Sequence, residues 1–114
     1  MRPIPKQLRD EMEADPYYKQ CVRRKEGNCS GRITWEHSFE YGGKQINEKW
    51  AIIPLCWYHH LGDGLDKDYN QYISVNRMTK ADEDKYPRKN WKQLRSYLNG
   101  KYENKRTRHT ETNH

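Results

Sequence analysis

Apolar positions come in short bursts along this chain, each closed by a turn-forming residue, with helical and strand spacing alternating. Pro3-Ile4-Pro5 opens a helix that tolerates Pro5 in its first turn. Leu8 and Met12, four apart, share one face of it, and Asp15-Pro16 stops it. Tyr17 to Cys21 reads as an extended run. Arg23 to Gly31 is polar and turn-rich, with Gly27-Asn28 and Ser30-Gly31 around Cys29. Arg32-Ile33-Thr34-Trp35 is rich in β-formers and predicts a short strand that ends on Glu36-His37. Tyr41-Gly42-Gly43-Lys44 reads as a flexible connection and Trp50 to Leu55 as a second strand. Trp35 and Trp50 are expected to pack the two strands together, and Cys56 begins a turn into a helix or loop.

Leu61-Gly62-Asp63-Gly64 interrupts the pattern. Asp66 then caps a helix carrying Tyr69, Tyr72, Ile73 and Asn76 at helical spacing, with Met78 near its end. Thr79-x-x-Asp82 resembles a capping box with Asp in place of the usual Glu or Gln. A last helix after Pro87 places Trp91, Leu94 and Leu98 on one face, with Gly100 as its stop. Lys101 to His114 lacks an apolar face and reads as a frayed basic tail. The prediction is a small α+β fold: one domain over residues 1–100, with a core at 21–62, a helical part at 65–100 and a flexible tail at 101–114.

Composition changes the picture by making that core thin. Of 114 residues only 32% are apolar and 33% are charged, with a mean hydropathy of −1.43. Small domains with thin cores commonly rely on a structural metal. Three cysteines cannot all pair within the chain, and neither a signal-peptide pattern nor a membrane-length apolar run is present. The expectation is a cytoplasmic chain, away from membranes, whose reduced thiols are free for a metal. A disulfide with one spare thiol is the alternative.

The net charge of +6 is unevenly spread: 14 basic and 14 acidic residues lie before Arg88, and eight basic against two acidic from Arg88 onward. That excess suits a polyanionic partner, DNA or RNA, and Arg88, Lys89, Lys92 and Arg95 are the expected phosphate contacts on the last helix. Arg23-Arg24-Lys25 reads more simply as a solvated loop.

Chemistry enters with Cys21-x7-Cys29, Trp35-Glu36-His37 and Cys56-x2-His59-His60. Three thiolates and one imidazole make a closed tetrahedral zinc set, and Cys56-x2-His59 has the tight spacing of a zinc knuckle. His60 at x3 is the open alternative as fourth ligand. Adjacent helical residues lie about 100° apart around the axis, so His59 and His60 serve different ions more readily than one.

Glu36-His37 at a strand end, a Gly-Gly loop, a second strand and Leu55-Cys56-x2-His59-His60 together resemble the HNH family, the ββα-metal or His-Me finger nucleases, in its zinc-braced branch. The resemblance covers about Cys21 to His60. It implies a β-hairpin plus helix core with flanking helices, and a phage or bacterial nuclease that hydrolyses DNA phosphodiesters to 5′-phosphate and 3′-hydroxyl ends. It further implies His37 as general base, and Glu36 and His60 as ligands of a catalytic Mg²⁺ or Mn²⁺. Cys21, Cys29, Cys56 and His59 would hold the structural Zn²⁺. The family's middle asparagine falls here on Ala51, with Asn47 four residues earlier. Two other readings are open: a zinc-stabilised nucleic-acid-binding module without activity, and a protein-interaction adaptor.

Overall fold

The computed structural model describes residues 4–112, with side chains as far as Glu103. Helix α1 (Lys6–Ala14) starts after Pro5, whose fixed φ and missing N–H suit a helix start. Met12 is its one buried residue and packs with Tyr18 and Ile52. Tyr17 to Cys21 is not extended. Asp15 accepts a hydrogen bond from the Tyr17 amide at 2.9 Å and winds Pro16–Lys19 into a 3-10 turn, which local side-chain capping favours over a strand with no edge to join.

Strand β1 (Ile33–His37) pairs antiparallel with β4 (Ile52–Cys56), Ile33 opposite Cys56 and His37 opposite Ile52. All five β4 residues are buried, whereas β1 is half-buried throughout. The second predicted strand starts late, because Lys49–Ala51 forms a 3-10 turn ahead of it. Between the strands, β2 (Glu40–Tyr41) and β3 (Lys44–Gln45) make a tight hairpin, so the Gly-Gly segment is structured rather than a loose connection. Gly42 and Gly43 take φ of 62° and 79°, which a two-residue hairpin turn requires at both positions.

Helix α2 (Trp57–His60) is a single turn directly after β4. Asp66 caps α3 (Lys67–Val75) through the Tyr69 amide, and Thr79 and Asp82 form both halves of the capping box of α4 (Lys80–Asp84). The last helix, α5 (Trp91–Thr112), passes through Gly100 instead of stopping there. Tyr102 supplies the reason: it is buried with Tyr69 and Tyr72, and its hydroxyl donates to Asp66, which draws the helix onward past the glycine. Residues 101–103 thus belong to the folded body. Met1–Pro3, Asn113 and His114 lie outside the described residues.

The two strand tryptophans serve separate clusters. Trp35 meets Tyr18 edge-on, while Trp50 sits with Phe39, Tyr86 and Trp91 where the helices close over the hairpin. The architecture is α+β: among the described residues, an antiparallel strand pair, a small hairpin and five helices. Among the described residues no helix is long and apolar enough to cross a membrane.

Candidate metal centre and the polar site beside it

Cys21, Cys29, Cys56 and His59 converge, their ligand atoms all within 4.8 Å of one another, and the three cysteines are free. Backbone hydrogen bonds arrange this. Val22 N–H to Pro54 C=O holds the Cys21 segment along β4, and Tyr58 N–H to Ser30 C=O ties the Cys29 loop to α2. Gly31, at φ 79°, lies so close to Trp57 that an added Cβ would sit 2.6 Å from the Trp57 Cβ. A side chain there would push the Cys29 loop off α2.

His59 Nδ1 lies 3.5, 3.7 and 3.2 Å from the sulfurs of Cys21, Cys29 and Cys56. A tetrahedron with standard Zn–S and Zn–N bonds has an S···N edge of about 3.6 Å, so the donor set fits a structural zinc ion. Its electrostatics also call for a cation. Burial works against ionising Cys56, but the His59 and Ser30 backbone N–H groups outweigh it and lower the thiol to about 6. Desolvation, then hydrogen bonding with Cys56 and Cys21, pushes Cys29 up to about 12. Neighbouring thiols cannot all ionise unaided; a bound dication removes that conflict.

His60, next along the helix turn, points elsewhere. Its Nδ1 meets the Thr34 hydroxyl at 2.5 Å, and that hydroxyl donates its only hydrogen to Leu55 C=O at 2.9 Å. The Thr34 oxygen must therefore accept from His60 Nδ1–H. In the neutral ring this leaves Nε2 as a bare lone pair. That Nε2 lies 3.3 Å from Glu36 Oε1, and two acceptors face each other at that distance comfortably only with a proton or a metal ion between them. The other oxygen, Glu36 Oε2, accepts from Asn70 Nδ2 at 2.8 Å.

His37 ends β1, where consecutive side chains leave opposite faces of the strand. Its Nε2 meets Asn47 Oδ1 at 2.8 Å. An amide oxygen only accepts, so His37 donates from Nε2 and keeps Nδ1 as its basic nitrogen. Ala51 is fully buried in its 3-10 turn and its C=O accepts from Ser38 N–H, so the side-chain contact to His37 comes from Asn47.

The expected phosphate contacts are dispersed. Arg88 and Lys89 precede α5 rather than lying on it, because the helix begins at Trp91. Arg88 and Lys92 are exposed, whereas Lys89 leans over the rings of Phe39 and Trp91 and Arg95 is tied to Glu83 and Val75 C=O. Arg23 is not part of a solvated loop: it is 7% exposed, pairs with Glu26, donates to Gly64 C=O and lies over Tyr69. Glu40 and Asp63 are exposed surface charges.

Thr34 and Asn70 are the site residues that sequence reasoning missed. For Asn70 a signal existed: Asn70 and Ser74 are polar residues four apart on the inward side of α3, bonded to Glu36 and Ser38, two apart on the facing chain. Four helical residues rise about 6.0 Å and two extended residues about 6.6 Å, so the pairs match. Compared with known proteins, the chain matches no protein-family model, no curated protein and no solved structure.

Proposed function

We propose that this protein is a metal-dependent endonuclease of the HNH type that hydrolyses phosphodiester bonds in DNA. The observation that carries the reading is the Glu36–His60 pair, a carboxylate oxygen and an imidazole lone pair 3.3 Å apart beside a thiolate-imidazole cluster. A ββα-metal core would then comprise β1, β4 and α2, with Cys21, Cys29, Cys56 and His59 holding zinc and Glu36 and His60 holding Mg²⁺ or Mn²⁺. When bound, that hard cation supplies charge neutralisation at the scissile phosphate and its departing oxyanion.

The chain supplies the rest. His37 Nδ1 takes the proton of a water molecule as the water oxygen bonds to phosphorus and the phosphorus–O3′ bond breaks. Asn47 holds the ring so that Nδ1, not Nε2, is the free base. This Asn47 contact supports activity against the inactive binding module, which an alanine at the family's asparagine position, Ala51, would favour. Arg88 and Lys92 would meet the sugar-phosphate backbone.

The test is plasmid nicking in Mg²⁺ or Mn²⁺ by wild type and His37→Ala, with bound zinc measured on the same samples. The expected outcome is about one zinc per chain in both proteins and a loss of roughly 10²–10⁴-fold in the variant. Equal nicking by both would remove His37 from the mechanism. No nicking of any DNA form would leave a binding module.

A further inference from the structure

Asn70 is 1% exposed, and a buried amide is a costly side chain unless each end is used. One end is: Nδ2 donates to Glu36 Oε2 at 2.8 Å. The other, Oδ1, is buried without a hydrogen-bond partner among the described residues. The helix carrying it cannot easily turn away, because Gln71 donates to Ser38 C=O and Ser74 to the Ser38 hydroxyl. A buried amide donor is therefore held in place against a carboxylate that itself faces His60.

We propose that Asn70 is a positioning residue for a divalent cation at Glu36 and His60: its N–H pins Glu36 Oε2 so that Oε1 faces the ion. The inference rests on the nuclease reading above and adds to it a residue from α3. A carboxylate that ligates through one oxygen is fixed by a donor on the other. An apolar residue of the same size would fill the space and leave Glu36 Oε2 unheld.

The experiment uses the zinc-loaded full chain and Mn²⁺ alone as probe, read by calorimetry and by the Mn²⁺ resonance signal, independently of cleavage. Wild type is expected to take one Mn²⁺ that Glu36→Ala abolishes. Asn70→Ala should weaken Mn²⁺ binding by about 10–100-fold with zinc content and helix content kept. Asn70→Leu, which fills the space without a donor, should weaken Mn²⁺ binding as Asn70→Ala does. Wild-type Mn²⁺ affinity in both variants, with Tm lowered, would overturn the proposal and leave Asn70 a packing residue. If Asn70→Ala does not fold, wild-type Mn²⁺ affinity in Asn70→Leu overturns it alone. A wild type that takes no Mn²⁺ sensitive to Glu36→Ala would bring down the cation site itself, a pattern distinct from loss in Glu36→Ala with Asn70→Ala unaffected.

Discussion

At the scale of single residues, proton placement decides what this site can do. His37 and His60 are each held by an oxygen on one ring nitrogen, Asn47 Oδ1 on His37 Nε2 and Thr34 Oγ1 on His60 Nδ1. Their free nitrogens are therefore different atoms, Nδ1 in one ring and Nε2 in the other. On the proposed nuclease reading, Asn47→Ala should lower single-turnover cleavage by about 10-fold, short of the roughly 10²–10⁴-fold expected for removing the base. Asn47→Asp, which keeps an acceptor, should recover part of that loss with zinc unchanged. The Cys21, Cys29, Cys56 and His59 cluster was legible in sequence because its residue types and spacing are chemical in themselves. Thr34 was not, and Asn70 only through its spacing from Ser74, since a threonine in a strand and an asparagine in a helix take their partners from the fold.

At the scale of elements, caps and buried tyrosines decide where helices start and end. Asp15 holds the 3-10 turn after α1 and pairs with Lys49 at 2.9 Å. The Tyr17 amide first, then Lys49, lowers its carboxyl below the ordinary 3.8. A carboxyl depressed by folding contributes stability above its unfolded value, lost as pH falls through the folded one. Asp15→Asn should therefore lower Tm at pH 7, and the gap to wild type should close as the medium is acidified below 3.8. That comparison needs only thermal melts across a pH series. Tyr102→Ala tests the other end of the chain. Losing a buried ring and its bond to Asp66 should cost about 3 kcal/mol, read as a lower midpoint in urea. The sequence pattern hid this, because Gly100 outweighs one isolated aromatic when no apolar stripe follows it. The hairpin at Gly42-Gly43 was hidden in the same way, its strands being only two residues each.

At the scale of the whole molecule, charge counted along the chain differs from charge available to a partner. Of the four basic residues expected to meet phosphate, Arg88 and Lys92 are exposed and Arg95 is spent on Glu83. If the partner is DNA, Arg88→Ala and Lys92→Ala should each flatten the slope of log K against log salt by about 1. Arg95→Ala should leave that slope in place and lower Tm instead. Titrations at several salt concentrations separate the two outcomes. Composition along the chain could not foresee which cations the fold consumes internally.

His59 and His60 are neighbours on one turn of α2, yet one faces three sulfurs and the other a carboxylate. On the proposed reading, that dipeptide joins a clamp to a cutting site. Loss of the zinc would release His59 and with it the single turn that aims His60 at Glu36, so the two sites would fail together.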